Sequence, residues 1–123
     1  MLKLLLDEHI SRSVADGLRR RHPRLVVIHL AEWESGGFLG QPDTACLQQA
    51  AARGLTLVTY DRRTIPSLLK AWAEEGRAHG GVIFTDEKTI PPSAAGALVR
   101  ALGSLWSNTH TWDWTNRICF LHR

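Results

Sequence analysis

The stretch Met1-Leu2-Lys3-Leu4-Leu5-Leu6-Asp7-Glu8-His9-Ile10-Ser11 decides the fold that we predict for this 123-residue chain. Its leucines are typical of a strand that is buried on both faces of a parallel sheet. Two acids follow, and Ser11 is a suitable N-cap for a helix. This order places Asp7 and Glu8 at the carboxyl edge of a sheet, where α/β folds build ligand sites. Because neighbouring carboxylates repel each other unless a proton or a cation lies between them, we interpret the pair as half of a divalent-metal site.

The rest of the chain repeats this alternation of apolar strands and amphipathic helices. Four further strands are predicted from apolar runs at residues 25–28, 55–59, 82–84 and 117–121. Helical spacing predicts helices between the strands, one of them with Asp43 as its N-cap, after a long loop over 31–42. Such alternation implies right-handed crossovers and parallel strands. We therefore expect an α/β fold, a three-layer α/β/α sandwich with a mainly parallel sheet of four to five strands, in one domain over residues 1–123.

Composition narrows the class of protein and its setting. The formal net charge of +3 permits a nucleic-acid partner without requiring one. The two cysteines, Cys46 and Cys119, lack metal-type spacing and indicate a reducing, cytoplasmic setting. No apolar run approaches the length that crosses a bilayer, so we expect no membrane association.

Acidic side chains follow three of the predicted strands. Asp7 comes after the first, Asp61 after the third and Asp86 after the fourth. Because parallel strands end at one edge, these acids should converge, and Asp43 joins them if its helix begins there. Carboxylate oxygens suit Mg²⁺ or Mn²⁺, and such an ion would activate a water and stabilise charge on a phosphoryl group. We predict Asp7, Asp43 and Asp61 as metal ligands, with Asp86 as the fourth catalytic residue.

Each of these acids also has a plain structural explanation. Acids at strand ends are common because loops are solvated. Asp43 could be only an N-cap, and Asp86 could belong to a turn before Pro91. The functional interpretation is favoured most for Asp7 and Asp61, which directly follow hydrophobic strands.

Other polar and aromatic residues near these acids suggest weaker hypotheses. Arg62, directly after Asp61, and Arg12, at the start of the first helix, could bind phosphate or RNA. Thr59 could orient a carboxylate, but its place in a strand explains it better. Four aromatic residues outside the regular pattern could stack on bases, although a hydrophobic cluster is the favoured explanation. They are Trp33, Phe38, Trp112 and Trp114.

Three of these motifs together resemble a PIN-like domain, in particular the small stand-alone branch related to VapC-type toxins. They are Leu4-Leu5-Leu6-Asp7-Glu8-His9-Ile10-Ser11, Asp43 before an Ala-rich helix, and Leu57-Val58-Thr59-Tyr60-Asp61. The resemblance covers about the first two thirds of the chain. It implies an acidic cluster that binds Mg²⁺ or Mn²⁺, ribonuclease activity, a possible toxin role with a cognate antitoxin, and frequent homodimers. Asp7, Asp43 and Asp61 match the family's first, middle and third acids.

Three functional hypotheses follow from the residues and the resemblance. The leading one is a metal-dependent endoribonuclease that cleaves RNA phosphodiester bonds, to which the resemblance adds a possible role as the toxin of a toxin–antitoxin pair. One alternative is a catalytically inactive PIN-like module that binds RNA or protein. The other is a receiver-like phospho-acceptor domain with Thr85 after the fourth strand. That class requires a lysine after the fifth strand, and residues 117–122 contain none.

Overall fold

The structure, a computed structural model, describes residues 1–37 and 39–122 apart from the side chain of Glu34. Within these residues the chain forms five strands, four α-helices and a short 3₁₀ turn at Trp33–Gly36. The strands are β1 (Lys3–Leu6), β2 (Val26–His29), β3 (Thr56–Thr59), β4 (Val82–Phe84) and β5 (Ile118–Phe120). The helices are α1 (Arg12–Arg21), α2 (Asp43–Ala52), α3 (Thr64–Glu74) and α4 (Ala95–Thr109). Phe38 lies outside the described residues.

The strands form one parallel sheet in the order β2-β1-β3-β4-β5. In the middle of β1, Leu5 pairs with Ile28 of β2 on one side and with Leu57 of β3 on the other. Strands β3 and β4 are entirely buried, as their apolar sequences predict. Because all five strands run in one direction, their carboxyl ends lie along one edge, and the predicted parallel sheet is confirmed.

Successive residues of the central strands pack into two cores on opposite faces of the sheet. Leu4, Leu6 and Val58 belong to the core formed with α1 and α4. Leu5 and Leu57, which alternate with them, belong to the core formed with α2 and α3. Helices therefore cover both faces, and the predicted three-layer α/β/α arrangement is confirmed.

The predicted N-cap is confirmed for α1 and is wrong for α2. Ser11 is the N-cap of α1, and its hydroxyl accepts a hydrogen bond from the Ser13 N–H at 3.2 Å. The N-cap prediction for Asp43 was wrong, because Pro42 holds that position and Asp43 is the first helical residue. Pro42 has an extended ψ of 147° and leads the chain into the helix. The Asp43 carboxylate therefore does not cap α2 and lies instead in the acidic site described below.

The tryptophans outside the regular pattern divide between the core and the surface. Trp33 and Trp114 are buried in the two cores, as the cluster hypothesis predicts, whereas Trp112 is exposed. The Trp114 indole donates to the Thr109 carbonyl at 3.0 Å and so fixes the segment between α4 and β5. None of the helices in the described part of the chain has the length and apolar content needed to span a membrane.

Candidate functional site

Asp7 directly follows β1, and both of its carboxylate oxygens accept hydrogen bonds from the protein. Its N–H donates to the Val58 carbonyl at 3.1 Å, which continues the pairing with β3 beyond the strand. Its Oδ1 accepts the His9 N–H at 3.2 Å, and its Oδ2 accepts the Thr59 hydroxyl at 2.7 Å. These contacts fix a half-buried carboxylate at the edge between the two central strands.

Thr59, the last residue of β3, joins two of the predicted site residues. Its side chain is fully buried, donates to Asp7 and accepts the Asp61 N–H at 3.0 Å. One hydroxyl therefore couples the ends of β1 and β3 across 52 positions of sequence. The sequence alone favoured a plain strand role for Thr59, because this bridge exists only once the two strands are paired.

Asp61 follows β3 and opens α3. Its Oδ1 accepts the N–H groups of Arg63 and Thr64 at 2.9 and 2.8 Å, which holds the turn before the helix. Burial alone would raise the pKa of Asp61, but these donors, together with the neighbouring Asp43 carboxyl, outweigh it and lower the pKa. Asp61 is therefore an anchored carboxylate that stays charged.

Asp43 has the opposite electrostatic character. Its side chain lines the same cavity as the Asp61 carboxylate. Burial, and then the negative charges of Asp61, Asp7 and Glu8, raise the pKa of Asp43. Neighbouring carboxyls whose pKa values shift in opposite directions repel each other when both are charged, as expected for like charges in a small space. A cation bound between them would relieve this repulsion.

These acids surround a small hollow of about 140 Å³, which we call the acid hollow. It is lined by Asp7, Glu8, His9, Gln41, Asp43, Cys46 and Asp61, together with apolar residues. Burial, and then the nearby charges of Asp43 and Asp7, raise the pKa of the Cys46 thiol, so the thiol remains protonated. Sequence reasoning did not include Cys46 or Gln41 in the site. Its only signal for Cys46 was the i, i+3 spacing from Asp43, which places both on one face of α2.

The carboxylates of the acid hollow are suitable ligands for a hard dication, but they are not arranged around a single point. Carboxylate oxygens are the ligands that Mg²⁺ and Mn²⁺ prefer, and the hollow concentrates negative charge. No group of three or more His, Cys, Asp or Glu side chains in residues 1–37 and 39–122 is spaced to hold a metal ion. The three predicted ligands therefore line one hollow, but they are not close enough to one another to coordinate a common ion in this structure.

The remaining predicted site residues lie outside the acid hollow. Asp86 accepts the Lys88 N–H at 3.0 Å through Oδ1, and its Oδ2 pairs with the Arg62 guanidinium at 3.3 Å. Arg62 and Asp86 line a neighbouring hollow at the ends of β4 and β5. Arg12 is largely exposed and lies 3.8 Å from Glu32. The structure thus pairs both predicted phosphate-binding arginines with acids.

Comparison with known proteins assigns the chain to a family. A family model described as a PIN like domain matches residues 2–78, more than half of the chain. This range contains Asp7, Asp43 and Asp61 but ends before Asp86. The match does not extend to a particular branch, so the relation to VapC-type toxins stays a prediction. Searches of curated proteins and of solved structures gave no match.

Proposed function

We propose that this chain, which belongs to the family of PIN-like domains, is a divalent-metal-dependent endoribonuclease. The family includes nucleases, PIN-like domains often bind RNA, and PIN domains generally use divalent metals. The observation that carries the proposal is the convergence of Asp7, Asp43 and Asp61 on one hollow at the carboxyl edge of the sheet. A solely structural role would not require three like charges to share so small a space.

In this proposal the three carboxylates hold Mg²⁺ or Mn²⁺, directly or through water. When bound, the ion activates a water and offsets the charge of the phosphodiester. Thr59 orients Asp7, while the N–H groups of Arg63 and Thr64 orient Asp61. A bound ion would favour the charged form of Asp43, because proton and cation compete for the same oxygens. The proposal also requires the carboxylates to move closer together than they lie in this structure.

Several finer predictions remain attached to this proposal. A catalytic role for Asp86 and RNA contacts by Arg12 and Arg62 would require their present ion pairs to open or to be shared with the substrate. A role as a toxin, with an antitoxin partner, is a further prediction, as are a homodimer and a cytoplasmic location.

Replacement of Asp61 by asparagine tests the proposal. Asp61→Asn removes one charge but keeps a carbonyl oxygen that can accept the Arg63 and Thr64 N–H groups, so the fold should persist. We expect Mn²⁺-dependent cleavage of a fluorophore–quencher single-stranded RNA to fall by about 100-fold or more. Asp113→Asn is the matched control, because Asp113 accepts the Thr115 N–H in a similar turn outside the acid hollow. Cleavage by Asp61→Asn at the rate of the wild type would refute the proposal.

A second candidate function is an inactive PIN-like module that binds RNA or protein. The observation in its favour is that no cluster of the described side chains is spaced to hold a metal ion. Such a module would bind RNA without cleaving it, and millimolar Mn²⁺ would leave its melting temperature unchanged. Stabilisation by Mn²⁺ that is lost in Asp61→Asn would exclude this candidate.

A further inference from the structure

A second hollow lies between the ends of β4 and β5, and we call it the β4–β5 hollow. Its volume of about 370 Å³ falls in the usual range for small-molecule sites, roughly 300–1,000 Å³. It is lined by Arg62, Phe84, Thr85, Asp86, Phe120 and His122, among others. Arg62, which lines this hollow, directly follows Asp61 of the acid hollow in the chain, and both hollows lie at the carboxyl edge of the sheet.

One wall of the β4–β5 hollow consists of flat side chains. Phe120 lies on the edge strand β5 and is 51% exposed. Its ring stacks on Phe84, with 5.5 Å between centroids and 23° between planes, and the Arg62 guanidinium carbon lies 5.3 Å from its centroid. Aromatic rings and guanidinium groups are the surfaces on which unpaired nucleobases stack.

A buried polar group without a partner lines the same hollow. Thr85 is only 1% exposed, and its hydroxyl has no hydrogen-bond partner among the described residues. Tyr60 donates its hydroxyl hydrogen to the Ile90 carbonyl at 2.7 Å. Burial raises the pKa of Tyr60, and the nearby Thr85 side chain partly opposes this shift. Because buried polar groups are nearly always paired, this hydroxyl is the polar group of the lining that a ligand atom in the hollow could complete.

The charges of the hollow favour a neutral ligand over a phosphate. Arg62 and Asp86 already form an ion pair, so the guanidinium charge is offset and the carboxylate would repel a phosphate. Together they present N–H donors and carboxylate acceptors at the border of a flat surface. The polar edge of a nucleobase needs that combination of donors and acceptors.

We propose that the β4–β5 hollow is a subsite for one unpaired nucleobase of the RNA strand, next to the phosphodiester that the acid hollow receives. The inference rests on the proposed function. The base stacks against Phe120 and Arg62, and the Thr85 hydroxyl binds its edge. Selection of single-stranded RNA follows, because a paired base is not available to this surface.

The first test moves one abasic nucleotide along a fluorescein-labelled 12-nucleotide RNA. Binding is measured by fluorescence anisotropy with Ca²⁺ in place of Mn²⁺. We expect the wild type to bind about 10-fold more weakly when the abasic nucleotide is at one particular position. Phe120→Ala should bind the intact RNA about 10-fold more weakly and lose this dependence on position. Ile118→Ala is the matched control, since Ile118 lies two residues away on the same strand, is 49% exposed and does not line this hollow.

The second test separates a ligand-binding hydroxyl from a structural one. Thr85→Val keeps the shape of the side chain and removes the unpaired hydroxyl. Because no hydrogen bond of the fold is lost, the melting temperature should be unchanged or higher. RNA binding should nevertheless weaken several-fold. A lower melting temperature with normal RNA affinity would show that the hydroxyl stabilises the fold, and would overturn its role in the subsite.

The outcomes distinguish failure of the subsite from failure of the nuclease proposal. Base-dependent binding by a protein that cleaves no RNA supports the subsite and overturns the nuclease. Cleavage combined with equal binding of every abasic RNA overturns the subsite and leaves the nuclease intact. Failure to bind the intact RNA overturns the subsite.

Discussion

Replacement of Thr59 by valine should both destabilise the fold and weaken the acidic site. The fully buried hydroxyl donates to the Asp7 carboxylate at 2.7 Å and accepts the Asp61 N–H at 3.0 Å. Valine has a similar shape but can make neither bond. The substitution therefore leaves two site residues without their common partner while it adds no bulk.

The size of the loss can be worked from these two contacts. The bond to the charged carboxylate contributes about 1.5–3 kcal/mol and the bond from the N–H about 0.5–1.5 kcal/mol, so the free energy of unfolding should fall by about 2–4.5 kcal/mol. For 123 residues, an unfolding entropy of about 2.1 cal/mol/K per residue gives about 0.26 kcal/mol/K. The melting temperature should therefore fall by roughly 8–17 °C.

Thermal unfolding followed by circular dichroism measures this loss, with and without Mn²⁺. Thr56→Val is the matched control, because Thr56 lies at the other end of β3, is equally buried and donates once, to the Gly80 carbonyl at 2.8 Å. Loss of that single neutral bond should cost about 1 kcal/mol, or roughly 4 °C, without changing stabilisation by Mn²⁺. Thr59→Ser retains a hydroxyl and should recover most of the Mn²⁺ effect.

Equal melting temperatures for Thr59→Val and Thr56→Val would refute this reasoning, particularly if Mn²⁺ stabilised both variants as it does the wild type. Thr59 would then be an ordinary strand residue, as the sequence alone favoured.

Two further predictions concern charge in the acid hollow and pH. Asp43→Asn should raise the melting temperature by a few degrees in EDTA, because burial and the charge of Asp61 disfavour a carboxylate at this position. The same substitution should abolish the stabilisation by Mn²⁺. A lower melting temperature in EDTA would contradict this prediction. Burial lowers the pKa of His79 below its ordinary 6.5. At pH values below 6.5 the unfolded chain therefore binds a proton at this residue more readily than the folded chain does. The free energy of unfolding should decline as the pH falls below 6.5. In urea titrations between pH 7.5 and 5, His79→Gln should flatten this decline. The control His122→Gln replaces an exposed histidine and should leave the decline unchanged. An undiminished decline in His79→Gln would show that His79 is not its cause.

The sequence was informative where local pattern and strand topology determine the structure. The apolar run before Asp7 and the run before Asp61 predicted two buried strands, and parallel pairing then placed both acids at one edge. That argument requires no knowledge of side-chain contacts. It also placed Asp43 near them through the start of α2, although Pro42 and not Asp43 holds the cap position.

The sequence was uninformative where contacts between distant residues determine the site. The Thr59 bridge depends on the β1–β3 register, and Asp86, which lies outside the acid hollow, forms an ion pair with Arg62 from the end of another strand. Neither pairing has a local sequence signal. The half-exposed Phe120 had the same apolar pattern as a buried strand residue, because a sequence does not reveal which strand will be at the edge of the sheet.

The central claim is that Asp7, Asp43 and Asp61 together bind a hard dication. The most direct measurement is the anomalous scattering of manganese from a crystal of this protein soaked in Mn²⁺. We expect one strong peak in the acid hollow, within coordination distance of oxygens from all three carboxylates. A map with no peak there at millimolar Mn²⁺, or with manganese bound only elsewhere, would contradict it.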